Sequence, residues 1–520
     1  MKIFLSITAL SLLLIISASH AQTGVIDSTF GINGVVKTPL SDSGSAVCNK
    51  LLSLPDGKII ATGYAYSLGH TRFVAVRYFN NGKVDSSYGT NGVVTTIIEN
   101  SAACICYSSV LQKDGKAVLV GDYLAPALGY NFAVVRYDTS GHPDNSFGTG
   151  GIGINHVGIA GADNVGLAID LQSDGKIIVA GKVFNTSNYN FAVLRFNANG
   201  SVDSTFGTNG STVSIIGAGN DNCYSMAVQK DDKIVLAGDI EQGAAYNFTV
   251  ARYTSNGILD NTFGTGGIAT HPIGAVDDDY GYSVVIQPDQ KIIVGGEAKN
   301  NANYDFALMR LDTTGALDNA FGNGGFVLAD FKNNDDIGRS TALQPDGKIL
   351  LFGSTYAPAS QFGLMRFDAN GSPDSAFATN GRAELNIYTT TYYGYSVVMD
   401  INNKILIAGQ ASLGKPDNFI LARFTSGLPN TVGIPEQTAT AERFHLYPNP
   451  AENQFTVYGL QLTSGDEIKI YDLSGRVVER KIITKTTNSQ QLSTQNLSSG
   501  LYFVQIISAE YSGTQKLIIR

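Results

Sequence analysis

The chain has 520 residues, with 35 Lys and Arg against 44 Asp and Glu, a formal net charge of −9 and 43% hydrophobic residues. It has no basic field to neutralise phosphates and no local lysine or arginine cluster, which argues against nucleic acid as a partner. With 58 Gly, 14 Pro, 10% aromatic and 15% charged residues, the composition is that of a turn-rich, strand-rich globular chain and not of a disordered one.

Residues 1–21 carry an early lysine, the apolar run "ALSLLLIIS" and the small residues Ser19 and Ala21, the pattern of a cleavable signal peptide. No later apolar stretch reaches the roughly 18 residues of a membrane span, so no transmembrane span is expected. The four cysteines, Cys48, Cys104, Cys106 and Cys223, are too few and too irregular for a disulfide scaffold, although export would permit a bridge. Cys48, Cys106 and Cys223 occupy the repeat position held elsewhere by Gly166, Gly281, Gly338 and Gly394. That points to a position that must be small, in preference to a metal or redox site.

From Asp27 the chain reads "DSTFGING", and close relatives recur at Asp85, Asp144, Asp203, Asp260, Asp318 and Asp374. One complete copy, beginning at Tyr282, divides into four apolar runs of strand length. The first two, "SVVIQ" and "KIIVGG", flank a turn that other copies write as "DGK", from which a two-residue hairpin turn with positive φ angles is expected. The third is of the type "FALMRL", and the fourth runs through "GGFVLAD". These runs are apolar on both faces, so both faces must be covered. Four-stranded antiparallel sheets arranged radially satisfy that demand, and the period of about 58 residues suits one blade of a β-propeller.

The strand arginine and the hairpin lysine each occur seven times, yet no Asp motif follows the last arginine, Arg423. The strand missing from the seventh blade is the one standing alone at Asp27. The fold class is therefore all-β, a seven-bladed β-propeller over residues 22–427 in which the N-terminal segment pairs with Phe419 to Phe424 and closes the ring. Arg and Asp stand eight residues apart in the pairs Arg77 and Asp85, Arg136 and Asp144, Arg195 and Asp203, Arg252 and Asp260, Arg310 and Asp318, and Arg366 and Asp374. A charge-assisted pair across the strands is expected in each blade, with Arg423 and Asp27 as the closing pair. The alternative is that each Asp caps its own Phe-Gly turn.

The strings "DGKI", "FxxxR" and "DxxFGxxG" together resemble the delta-60 repeat family, similar in appearance to NHL-type propellers, over roughly Val25 to Thr425. The resemblance implies no defined enzyme activity. The hairpins "DDK", "DQK" and "NNK", and Ala378 in place of the motif glycine, depart from the pattern.

Residues 428–443 read as a polar, Pro-containing linker. Residues 444–520 hold short alternating strands such as "EIKIYDL" and "LYFVQII", as in a small, Ig-like β-sandwich. The landmarks "YPNPA", "IYDLSGRVV", "SSGLYFVQI" and "QKLIIR" resemble the type A C-terminal sorting domain of the type IX secretion system. That resemblance implies the secretion machinery as a partner and passage across the outer membrane to the medium or the cell surface.

No zinc-ligand spacing, nucleophile elbow or phosphate loop is present, so no catalytic residue is assigned and no cofactor is required by any motif. The loops entering the first strands and those between the second and third strands should share one rim. They bring the candidate ligand residues Asp163, Asp221, Asp277, Asp278, Asp279, Asp335 and Asp336, with Tyr130, Tyr189, Tyr246 and Tyr304 in register. Such a rim suits a divalent cation held by oxygens, or a glycan held by stacking; the alternative is solubilising surface. Two functions follow: a secreted module that binds a glycan or protein, or a carbohydrate-active or other hydrolytic enzyme using rim carboxylates.

Overall fold

A computed structural model describes residues 23–429 and 444–519, apart from 42–43, 100, 126–127, 158–161, 244, 274–277, 301–302, 332, 357–359, 387–391, 412–417, 473–476 and 509–511. The expected signal peptide, Asp277 and nearly all of the expected linker lie outside the described residues. The chain divides into two compact units, Met1–Thr431 and Val432–Arg520.

In the first unit each repeat forms one four-stranded antiparallel sheet. After β1 (Val35–Pro39), the strands β2 (Ala46–Ser53), β3 (Ile59–Ser67), β4 (His70–Tyr78) and β5 (Val93–Thr96) pair in chain order as blade 1. Blades 2 to 6 repeat that order, beginning at Cys104, Val165, Asp221, Asp279 and Asp336. Blade 7 joins Tyr392–Met399, Ile405–Ala411 and Asn418–Phe424 to β1.

The first strands are innermost, and serine hydroxyls tie them around the axis. Val284 N donates to Ser225 Oγ at 3.1 Å, Thr341 N to Ser283 Oγ at 3.0 Å and Val397 N to Ser340 Oγ at 3.1 Å. Leu51 N donates to Ser396 Oγ at 3.1 Å, joining blade 7 to blade 1 and closing the ring. The absence of polar alternation in the second and third strands now has its reason. One apolar cluster joins Ile60, Phe73 and Ala75 of blade 1 to Leu119, Ala133 and Val135 of blade 2, and another joins Leu51, Ile59 and Val74 to Leu406, Phe419 and Leu421 of blade 7. Each blade is covered on both faces by its neighbours.

β1 runs antiparallel to Asn418–Phe424, in a register from Val35 opposite Ala422 to Pro39 opposite Asn418. The residues before it continue the fastening: Asp27 N donates to Arg423 O at 2.7 Å and Gly24 N to Thr425 O at 2.8 Å. Thr23 O accepts from Ala378 N of blade 6 at 2.9 Å.

The "DGK" hairpin differs from the two-residue turn expected of it. Leu54 N donates to Lys58 O and Gly57 N to Leu54 O, both at 2.9 Å, which encloses three residues. Only the last of them, Gly57, has positive φ, at 85°. Asp56 acts through its carboxylate, which accepts from Lys58 N at 3.1 Å. The departures from Gly therefore sit in the left-handed region: Asp232 at 63°, Gln290 at 70° and Asn403 at 57°.

In the second unit, a three-stranded sheet (His445–Tyr447, Gln454–Leu462 and Thr487–Ser493) and a four-stranded sheet (Val477–Ile482, Glu467–Tyr471, Gly500–Ile507 and Ser512–Ile519) contribute to one core. Phe444, Phe455 and Val457 pack there with Ile468, Val504 and Leu517. The "YPNPA" segment holds the last strand in place: Ile518 N donates to Asn449 Oδ1 at 2.9 Å and Ala451 N to Ile518 O at 2.7 Å.

Candidate functional site

The charged residues that repeat in every blade are consumed by the scaffold. Arginine Nε meets aspartate Oδ2 at 2.8 Å in Arg77–Asp85, Arg195–Asp203 and Arg366–Asp374, at 2.9 Å in Arg136–Asp144, Arg252–Asp260 and Arg310–Asp318, and at 3.0 Å in Arg423–Asp27. The same aspartate also caps its turn, so the two roles weighed for it coexist. In Asp203, Oδ2 takes the arginine while Oδ1 accepts from Thr205 N at 3.1 Å and Thr205 Oγ1 at 2.6 Å. The guanidinium of Arg195 lies 4.7 Å from the Phe206 ring centre, and its Nη1 donates to Ser255 O of the next blade at 2.7 Å. Lys176 completes the group at 3.0 Å from Asp203. In the equivalent pair, hydrogen bonds from Lys116 and Ser146 hold the Asp144 carboxyl far below the usual carboxylate range.

The residues that differ between blades line the axis. Along each innermost strand the pairing slips by one residue, between Cys48 and Lys50, Cys106 and Ser108, Gly166 and Ala168, Cys223 and Ser225, Gly281 and Ser283, Gly338 and Ser340, and Gly394 and Ser396. Each bulge leaves one residue outside the ladder on the strand that lines the channel: Asn49, Tyr107, Leu167, Tyr224, Tyr282, Arg339 and Tyr395. The residue before it must be small, because a Cβ on Gly281 would stand 2.8 Å from Gly238 O. Cys48, Cys106 and Cys223 fill this position as buried free thiols, and Cys104 is likewise free and buried.

The loops entering the first strands and those joining the second and third strands do share a rim, and most of the candidate carboxylates there bind backbone. Asp221 accepts from Ile216 N at 2.8 Å, Asp279 from Ile273 N at 2.6 Å and Asp336 from Phe331 N at 2.8 Å, each capping its own loop while buried. An exposed acidic surface is therefore not what these three form. Asp278 and Asp335 reach the preceding blade, accepting from Tyr246 N at 3.2 Å and Tyr304 N at 3.1 Å; Asn220 does the same for Tyr189. Asp163 is exposed. Asp336 also groups with Asp305 and Asp330, their carboxylate oxygens within 4.8 Å of one another. Asn300 and Asn303 donate to Asp305 and Asn333 N donates to Asp330, so these carboxylates also serve their own loops.

The registered tyrosines are all half-buried, and Tyr246 and Tyr304 belong to a wider aromatic patch at the channel mouth. Tyr224 and Tyr282 have ring centres 5.1 Å apart, Tyr246 and Tyr280 5.4 Å, Tyr280 and Tyr282 6.1 Å, and Tyr280 and Tyr304 6.2 Å. Tyr189 stands edge-on to Phe184 under the Lys182 ammonium, 4.5 Å from its ring centre. Tyr130 lies near Asp122 and Asp163.

Beside the rings lie residues that the sequence did not single out: Asp122, Lys182, Asp239 and Glu297. All follow the last glycine of the second strand, where the other copies carry Tyr64, Ser354 and Gln410. That variation inside an otherwise repeated apolar strand was the available signal. Burial pushes the Asp122 carboxyl up to about 8, aided by Asp163, and pushes Asp239 and Glu297 up to about 7. Asp239 accepts from Asn222 Nδ2 at 2.9 Å and Glu297 from Tyr282 OH at 2.9 Å. Asp122 Oδ1, Asp239 Oδ2 and Glu297 Oε2 are buried without a hydrogen-bond partner.

Comparison with known families resolves both units. Six stretches, 54–88, 112–147, 172–206, 229–263, 287–321 and 344–377, match the "Domain of unknown function (DUF5122) beta-propeller", and residues 445–520 match the "Secretion system C-terminal sorting domain". The chain carries six DUF5122 β-propeller repeats and a secretion-system C-terminal sorting domain. The stretches matched to the DUF5122 family run from the start of the lysine hairpin to the aromatic residue of the Asp motif, the segment that carries the Lys, Arg, Asp and aromatic group. The sorting domain directs export by the type IX secretion system to the cell surface or extracellular space. No curated protein matches the chain. Among solved structures, a Dyadobacter fermentans protein of unknown function is 12% identical, with 61% of this chain and 93% of that one covered and a TM-score of 0.37. The polysaccharide lyase Uly1 is 10% identical (74% and 90% covered, TM-score 0.43), and Drosophila Semaphorin 1b is 9% identical (77% and 88% covered, TM-score 0.39). Among the described residues no helix is long and apolar enough to cross a membrane.

Proposed function

We propose that the exported DUF5122 propeller is a binding module that takes a glycan on the tyrosine patch at its channel mouth. The observation that carries this reading is the neighbouring set Tyr224, Tyr246, Tyr280, Tyr282 and Tyr304, half-buried rings with centres 5.1–6.2 Å apart along the chain of contacts. Aromatic faces bordered by hydrogen-bonding groups suit a sugar, which offers an apolar ring face and a hydroxyl periphery. On this reading residues 1–21 are a cleaved signal peptide and 428–443 a linker between the propeller and the sorting domain. A glycan array probed with the full chain should give hits that weaken about tenfold or more in Tyr280→Ala. Undiminished hits in the variant would place binding elsewhere.

A second reading, an extracellular hydrolase, rests on Asp239 and Glu297, whose carboxyls near 7 suit a general acid. It requires release of reducing ends from a bound polysaccharide and loss of that release in Asp239→Asn.

A further inference from the structure

The charge around the tyrosines narrows the ligand class, an inference that rests on the glycan reading above. The cross-strand register sets Tyr280, Glu297, Lys299 and Tyr304 on one face of blade 5, and Asn222, Asp239, Glu241 and Tyr246 on one face of blade 4. With Asp278 and Asp335 from the loops, five carboxylates surround the rings of Tyr246, Tyr280 and Tyr304. Three cations, Lys182, Lys299 and Arg339, stand against them. Two of these already lie on neighbouring rings, Lys182 4.5 Å from the centre of Tyr189 and Arg339 4.3 Å from that of Tyr282. Among the described residues no lysine or arginine is stacked on Tyr246, Tyr280 or Tyr304.

The second observation concerns the acids themselves. Asp239 is fully buried and Glu297 only 6% exposed, yet each keeps one oxygen, Oδ2 and Oε2, with no hydrogen-bond donor. Leaving a buried carboxylate oxygen unserved is costly, and a donor arriving from outside removes that cost. A ligand hydroxyl supplies a donor; an ammonium supplies three, with a charge that both the carboxylates and the ring faces attract.

We propose that the channel mouth selects saccharides bearing a free amine, with the ammonium seated among Tyr246, Tyr280 and Tyr304 and donating to Asp239 and Glu297. A saccharide fits better than a lysine side chain because the rings extend over adjacent blades, a length that a row of sugar rings can follow. The same patch also offers resident cations, Lys182 and Arg339, to sugar hydroxyls at its borders.

The test is calorimetric titration of the full chain, at neutral pH, with a glucosamine oligomer, its N-acetylated counterpart of equal length, and a lysine oligomer. The expected result is binding of the glucosamine oligomer about tenfold or more tighter than of the acetylated one, as the loss of one charge-assisted contact implies. The preference should disappear in both Asp239→Asn and Glu297→Gln. Because either acid is buried, each variant is first checked for an unchanged melting profile and for retained binding of the N-acetylated oligomer. Equal affinity for the two saccharides overturns the amine assignment and leaves the glycan reading standing. Binding of the lysine oligomer as tight as that of glucosamine overturns the saccharide assignment, and no binding of any of the three overturns the amine proposal, the glycan reading itself resting on the array.

Discussion

Asp260 accepts from Arg252 at 2.9 Å and Lys233 at 3.2 Å while almost fully buried, so removing the arginine leaves Oδ2 to one half-exposed lysine, with Thr262 serving only Oδ1. Arg252→Ala should lower unfolding free energy by about 3–5 kcal/mol in denaturant titration, the range for breaking a buried pair from one side. Gln290 carries a side chain at φ 70° in a hairpin where other copies place glycine, so Gln290→Gly should raise stability by about 1 kcal/mol in the same assay. The buried acids give a pH dependence of opposite sign to that of the motif aspartates. Asp122, Asp239 and Glu297 keep their protons in the folded chain up to about 7 or 8, whereas the unfolded chain releases them near the ordinary carboxylate range of about 4. Between those limits the folded state binds more protons, so stability falls as pH rises from about 5 to about 8 and levels off above. Asp144, Asp203 and Asp260 are lowered instead, and their contribution is lost only at pH below about 4. Denaturant midpoints should therefore be higher near pH 5 than near pH 8, and Asp122→Asn should shrink that difference by about 1 kcal/mol or more.

At the scale of elements the ring depends on a strand that is distant in sequence from its partner. β1 supplies the outer edge of blade 7, and Thr23 to Asp27 fasten both blade 6 and blade 7. A chain beginning after Pro39 would expose Asn418–Phe424 as an apolar open edge, and light scattering should show it aggregating where the full chain stays monodisperse. This closure was legible because the Asp motif and the strand arginine recur equally often but out of phase, one motif standing before the first arginine and none after the last, and the Arg–Asp spacing named the partners. The hairpin was misread because "DGK" fits either of two turn lengths, which differ in whether Asp56 as well as Gly57 takes positive φ, and here only Gly57 does. The channel residues were hidden for another reason. A bulge at Tyr107, Tyr224 or Tyr282 breaks the period of two, so the string alone does not say that the residue leaves the ladder. Asp239 and Glu297 look like misplaced charges in apolar strands until the register sets them beside the rings.

At the scale of the molecule, sevenfold repetition divides the chain into what is common and what is particular. The Lys, Arg, Asp and aromatic group recurs around the ring and holds blades together, whereas the registered tyrosines and buried acids lie in blades 2 to 5, on one side of the channel mouth. The sorting domain carries that asymmetric surface out of the cell. The most direct measurement is the melting temperature of the full chain against a panel of polysaccharides, with Tyr280→Ala in parallel. The account predicts that at least one polysaccharide raises the melting temperature of the wild-type chain and leaves that of the variant unchanged; flat curves throughout, or an equal rise in both, would contradict it.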